Sequence, residues 1–124
     1  MIQLTKNQVI NIHSSLIAAT GGLDGVRDDC LLDSALQTPF QTFDGLDLYP
    51  ALLQKAARLG YSLVNNHPFV DGNKRIGIHT MLVFLMLNGV EIECTQKELI
   101  QVGLSLADGS MKYKELLNWL SKHN

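Results

Sequence analysis

Charge is scarce in this chain. Asp, Glu, Lys and Arg make up 18% of its 124 residues, and the formal net charge is -2. No basic excess exists to neutralise a phosphate backbone, so bulk charge gives no support to direct nucleic-acid binding. Blocks of like charge, the mark of a disordered tail, are missing too. Only two cysteines occur, Cys30 and Cys94, far apart and outside any CxxC or Cys/His cluster. That spacing speaks against a zinc site; two free thiols in a reducing compartment is the simplest reading, with a disulfide left open. No stretch reaches the roughly 20 apolar residues that span a bilayer. The longest uncharged run, Ile76 to Val90, contains His79 and Asn88 and reads as a buried core helix. Residues Met1 to Lys6 lack the charged start and apolar block of a signal peptide. A cytoplasmic protein with no membrane partner is expected. Internal repeats and low-complexity segments are absent.

What is present suits one domain, residues 1–124, with a real core: 46% of the residues are hydrophobic. The pattern is helical nearly throughout. Thr5 to Gln8 fits a capping box, and Val9, Ile12, Leu16 and Ile17 follow at helical spacing until Thr20-Gly21-Gly22. Asp28 or Asp29 caps a short helix carrying Leu31, Leu32, Ala35 and Leu36, stopped by Pro39. Residues 38–48, with Asp44-Gly45, read as a loop or short hairpin. A third helix runs from about Tyr49, with Pro50 in its first turn, to Asn65-Asn66. A fourth runs from about Asn73 to Asn88 and is apolar all round from Met81 to Leu87, which predicts burial on every side. VEIEC, residues 90–94, alternates like a strand without an obvious partner. Thr95 to Glu98 is another capping box, opening a helix that ends near Asp108-Gly109. The last helix carries Tyr113, Leu116, Leu117, Trp119 and Leu120. The expected fold is an all-α bundle wrapped around the buried helix that starts at Asn73, with at most a short hairpin or strand.

The chemistry is concentrated in HPFVDGNKR, residues 67–75, at the entrance of that helix. A helix N-terminus offers unpaired N–H groups and the positive end of its dipole, a natural anion site. Gly72 and Asn73 form the turn into it, and Gly72 can aim successive N–H groups inward. Lys74 adds a mobile point charge and Arg75 a two-pronged phosphate donor. Asp71 beside such a cradle would repel phosphate unless Mg2+ lay between them, and magnesium binds through one or two carboxylates plus phosphate oxygens. His67, near neutral pKa, can take a proton from a hydroxyl. Phe69 alternates with the polar residues and anchors the loop in the core. Together these make a kit for phosphoryl or nucleotidyl transfer. Each part alone has a plainer reading: Asp-Gly-Asn is ordinary turn and cap chemistry, and a histidine before proline is often a surface residue. Lys74 and Arg75 in a first helical turn oppose the helix dipole, a misfit that makes sense with an anion present.

HPFVDGNKR resembles the active-site motif of the Fic/Doc family, HxFx(D/E)GNxRxxR. GGLDGVRDDCLLDSALQTP upstream and LVFLMLNGVEI downstream extend the likeness more loosely over most of the chain. The position after Asn73 is Lys74, where nucleotidyl-transferring members have glycine, and the arginine three residues after Arg75 is replaced by Ile78. Both departures resemble the death-on-curing (Doc) branch, the toxins of toxin–antitoxin pairs. The resemblance implies that His67 is the general base toward a Ser or Thr hydroxyl and that Asp71 holds Mg2+ on the ATP phosphates. It implies an anion hole at Gly72, Asn73 and the backbone beyond, with Lys74 and Arg75 binding phosphates. It further implies phosphate transfer from ATP to a protein, elongation factor Tu in that branch. AMP transfer is the alternative reaction, and a binding module that lost catalysis is an alternative class.

The resemblance also makes residues 38–48 a flap that aligns a target peptide, with Phe40, Phe43 and Leu46 able to serve; aromatics tucked onto the core edge is the plainer alternative. No inhibitory (S/T)xxxE(G/N) helix occurs, because Glu91, Glu93, Glu98 and Glu115 lack that context. Restraint of such a toxin would fall to a cognate antitoxin, and the low charge content would suit a surface groove for an amphipathic antitoxin segment. His13 reads as a solvated or core-edge residue and His123 as a frayed end. His79, one turn past Arg75, either faces the nucleotide or is buried against a carbonyl. Arg27 and Arg58 are placed by nothing in their spacing, and Trp119 reads as core.

Overall fold

The computed structural model describes residues 1–124. Six α-helices follow in order: α1 Lys6–Thr20, α2 Asp29–Gln37, α3 Leu52–Asn66, α4 Asn73–Leu87, α5 Gln96–Asp108 and α6 Tyr113–His123. A 3₁₀ turn, Thr38–Phe40, and a two-stranded ribbon, β1 Thr42–Phe43 and β2 Leu46–Asp47, lie between α2 and α3. The all-α expectation holds. No helix is long and apolar enough to cross a membrane.

Local chemistry sets the boundaries. The Thr5 and Thr95 side chains accept from the backbones of Gln8 and Glu98, whose own side chains reach back, completing both capping boxes. Asp28 caps α2 by accepting from the Leu31 N–H at 3.0 Å. In the ribbon, Asp44 and Gly45 have φ of 54° and 78°, the left-handed pair that a tight two-residue hairpin turn requires.

One core of buried apolar side chains draws on all six helices, and Phe69 belongs to it from the loop between α3 and α4. Helix α3 is the centre: it packs against α2, α4, α5 and α6. The sequence pattern points instead to the helix from Asn73, because α4 is the more apolar. Yet Met86 and Leu87 are exposed at its far end, and the buried positions, Ile76 to Ile78, Thr80, Met81, Phe84 and Leu85, leave the rest of its circumference open. The α3–α4 approach is tight. A Cβ added at Gly77 would stand 2.6 Å from Val64 Cγ2 and 3.1 Å from the Gly60 carbonyl oxygen. Such contact leaves little freedom at the joint between the two helices, residues 67–72.

Other expectations change. Pro50 lies outside α3, because Ala51 is the N-cap. Residues 90–94 form no strand, since no neighbouring strand offers them a ladder; the Glu93 N–H donates instead to the His123 carbonyl at 2.8 Å. His123 is pinned rather than frayed. Its Nε2 lies 2.7 Å from Glu98 Oε2, and its ring stacks on Trp119. Trp119 itself is half-buried against the core. Arg58 lies among the rings of Tyr49, Tyr61 and Tyr113, outside the 67–75 region.

Candidate active site

The segment from His67 to Gly72 turns the chain from the end of α3 into the start of α4. His67 sits at the C-cap of α3 in the left-handed conformation, φ 49° and ψ 53°, one that histidine, asparagine and aspartate accept more readily than most residues. Its carbonyl accepts from Arg27 Nε at 2.7 Å, so the backbone is held while the exposed ring has no hydrogen-bond partner in the chain. Two residues on, Phe69 is 1% exposed. Burying a side chain of that size contributes about 1.5–3 kcal/mol, which anchors the loop.

Residues 21–28 brace this loop from outside. The Arg27 and Asp28 N–H groups both donate to the Pro68 carbonyl, and the Val70 N–H donates to the Gly25 carbonyl. Val26 and Phe69 form an antiparallel bridge. Arg27 therefore belongs to the loop's support through its backbone and its guanidinium. Inside the loop, the Asn73 side chain clasps the Phe69 main chain twice, accepting from its N–H and donating to its carbonyl at 3.0 Å each. Asn73 thus offers an anion its backbone N–H, not its amide.

Asp71 accepts from the Leu23 N–H at 3.2 Å and the Gly72 N–H at 2.8 Å. These two donors, with smaller help from Arg75 and His13, hold its carboxyl below the usual carboxylate range. The group is ionised at any physiological pH and about half exposed. Nowhere do three His, Cys, Asp or Glu side chains converge on a possible metal position. A single charged, accessible carboxylate beside an anion cradle fits the way magnesium binds, through few protein ligands and substrate phosphate.

Helix α4 opens after Gly72, whose φ of 76° turns the chain sharply. The first main-chain bond of the helix is Ile76 N–H to the Gly72 carbonyl at 2.9 Å. The N–H groups of Asn73, Lys74 and Arg75 find no partner within the chain. Lys74 is exposed and unpaired. Arg75 is already engaged: Nη1 donates to Thr20 Oγ1 at 2.6 Å and the Gly21 carbonyl at 2.8 Å, and Nη2 lies 4.0 Å from Asp71 Oδ1. Its charge opposes the α4 dipole but complements the C-terminus of α1, so part of the misfit in the sequence is resolved without a ligand.

His67, Asp71, Gly72, Asn73, Lys74 and Arg75 line one cavity of about 380 Å³, closed on the far side by Ala107 of α5. His79 is not among them. It is exposed and lines a neighbouring groove of about 460 Å³, walled by Leu16, Ile78, Leu82, Ile100 and Leu104 from α1, α4 and α5. The two hollows share Lys74 and Arg75. Of the two aromatics assigned to the flap, Phe43 stands in the ribbon and is 75% exposed. Phe40 packs edge-on against Phe84, ring centres 6.0 Å apart.

Sequence reading missed His13. It is 1% exposed, its Nε2 lies 2.7 Å from the Asp71 carbonyl oxygen, and its ring stacks on Phe69. The signal was its place on the stripe Val9, His13, Ile17, spaced four apart on the buried face of α1.

The profile of the Fic/DOC family matches residues 3–85. A protein of Mycolicibacterium smegmatis named Toxin Doc is 49% identical over 74 residues, which cover 60% of this chain and 57% of that protein. A protein of Escherichia phage P1 named Protein kinase doc is 24% identical over 122 residues, covering 98% of this chain and 95% of that protein. With the family profile spanning more than half its length and enclosing the whole 67–75 segment, this chain belongs to the Fic/DOC family.

Proposed function

We propose that this chain is the toxin of a toxin–antitoxin pair and transfers the terminal phosphate of ATP to a Ser or Thr hydroxyl of a protein. One observation carries the reading: His67, Asp71, Lys74 and the open N-terminus of α4 all face one cavity. The name of the phage relative, aligned over nearly the whole chain, favours phosphate over AMP as the group transferred.

The roles follow from the geometry. His67 has a fixed backbone and a free imidazole, so it can approach a hydroxyl held at the cavity mouth and accept its proton. The free N–H groups of Asn73, Lys74 and Arg75 form a preset donor array for phosphate oxygens, and the Lys74 ammonium adds mobile charge. Asp71 would hold Mg2+ against the ATP phosphates; the ion when bound neutralises phosphate charge. Arg75, tied to the end of α1, contributes a fixed positive charge at the cavity wall. The exposed Phe43 and Leu46 of the ribbon offer an apolar, strand-like edge to a target segment.

Restraint is assigned to a separate antitoxin. The apolar groove between α1, α4 and α5, with exposed Ile100 and Leu104 on its rim, suits one face of an amphipathic helix.

The test is mass spectrometry of elongation factor Tu after incubation with this protein, ATP and magnesium, beside a His67→Ala control. The expected result is a gain of one phosphate, reduced about 10²–10⁴-fold in rate by the substitution. A gain of AMP overturns phosphate transfer in favour of AMP transfer. A gain unaffected by His67→Ala overturns the base assignment. No gain on this factor, or on any protein of a bacterial extract, overturns the enzymatic reading.

A further inference from the structure

Helix α1 sends one polar side chain into the core, and it lands on the active loop. His13 is buried, with Phe69 stacked at a centroid distance of 3.9 Å and an interplanar angle of 11°. A carbonyl only accepts, so the 2.7 Å contact between Nε2 and the Asp71 oxygen places a proton on Nε2. The other nitrogen, Nδ1, lies 3.3 Å from Asp24 Oδ1, at ion-pair distance but without hydrogen-bond geometry. Asp24 is occupied elsewhere, by the Ser14 hydroxyl at 3.1 Å and the Gly25 N–H at 2.8 Å.

The Asp71 carbonyl holds a particular position in the chain. In a helix begun one residue earlier, it would accept from the Arg75 N–H, four residues on. It does not; its hydrogen bond runs sideways to α1, and the Arg75 N–H stays open. Without His13 this part-buried carbonyl would lose its one partner in the chain, and the Arg75 N–H is the main-chain donor in helical register with it. We propose that His13 is a positioning residue: its Nε2–H holds the Asp71 carbonyl out of α4 and so keeps the Arg75 N–H free as a donor to a bound phosphate. The proposal rests on the phosphate-site reading above, but its main readout does not.

That readout is amide hydrogen exchange at Arg75, measured by NMR on the protein without nucleotide. The variants are His13→Leu, which fills the apolar slot without a donor, and His13→Gln, whose amide nitrogen reaches the position of Nε2. In the wild type and His13→Gln the Arg75 amide exchanges as an open group. In His13→Leu its exchange slows at least several-fold, because the released carbonyl accepts it. Equilibrium ATP–Mg2+ binding weakens about tenfold in His13→Leu and stays within about threefold in His13→Gln, the scale of one lost hydrogen bond. Unchanged Arg75 exchange in His13→Leu overturns the inference, as does a folded His13→Gln that behaves like His13→Leu. Should His13→Leu fail to melt cooperatively, His13→Met fills the same slot and is judged the same way. A wild type that binds no ATP defeats the functional proposal alone, since the exchange comparison still decides the role of His13.

Discussion

Two polar segments flank α3, and they are held in opposite ways. The segment after it, residues 66–75, exchanges main-chain bonds with residues 25–28, has a guanidinium on two of its carbonyls and a histidine from α1 on a third, and buries its own Phe69. The ribbon before it, residues 42–47, keeps its own short ladder, its exposed face is apolar, and one buried cation anchors it. That cation is Lys55 of α3, 4% exposed, whose ammonium donates to the carbonyls of Tyr49 and Pro39 and to Asp47. Its three donors thus reach the segment before the ribbon, the ribbon itself and the segment after it. The difference suits the proposed division of labour. Groups that perform chemistry need fixed geometry, whereas a surface that meets a protein segment needs a placed base and a free edge.

The largest effect should come from the over-braced side. Gly22 has φ 119°, and a Cβ there would lie 2.7 Å from Asp71 Oδ2 and 3.1 Å from Arg75 Nη2. Gly22→Ala should cost about 1–3 kcal/mol in backbone strain and displace Asp71, abolishing transfer. Gly45→Ala, in the ribbon turn, meets nothing within 4 Å and has only its φ of 78° to oppose it. Its melting temperature should fall by the backbone strain alone, less than in Gly22→Ala, and its activity persist. Equal losses in the two variants would erase the contrast between the segments.

A smaller, selective effect belongs to Lys55→Met. Loss of the ammonium leaves the Tyr49 carbonyl short of a donor, at a cost of about 1–3 kcal/mol. KM for the protein target should rise while ATP affinity stays put. A matched loss of ATP affinity would show that the ribbon and the phosphate cavity are one unit.

The smallest effect is a pH dependence. Asp71 has a folded pKa below its ordinary 3.8, first through the Leu23 N–H and then the Gly72 N–H. Its contribution to stability is therefore complete above the unfolded pKa and is lost as pH falls through the folded value. Asp71→Asn should make the decline in melting temperature below about pH 4 shallower. An unaltered acid limb would mean that the loop does not depend on that carboxylate's charge.

Much of this was legible in the sequence, for local reasons. Caps at Thr5, Asp28 and Thr95 act within three residues, so their helices start where the side chains dictate. The cluster His67 to Arg75 is contiguous, and a sharp turn into a helix gathers it in one cavity almost by necessity. The brace was illegible because it is non-local main chain: nothing in GGLDGVRDD states that its N–H groups will meet Pro68 or Asp71. His13 sat in plain view on a buried stripe, but its carbonyl partner lies 58 residues away. The strand at 90–94 failed because alternation is half a signal; a strand also needs a neighbour. The end of α4 failed because an apolar sequence fixes hydrophobicity, not coverage, and Met86 is left 63% exposed.

The shared wall of the two hollows has a thermodynamic consequence. Lys74 and Arg75 face both the phosphate cavity and the apolar groove, and Arg75 is roped to the last turn of α1, which forms the groove's far side. Occupants of the two hollows would thus touch the same two side chains, the physical route by which one could bias the other. Whatever free energy a groove occupant adds to or removes from nucleotide binding, the nucleotide returns to that occupant in the same amount and sign. On the proposed function, ATP in the first hollow and an inhibitor segment in the second would each change the other's affinity by the same factor, so release of the inhibitor would report on the nucleotide.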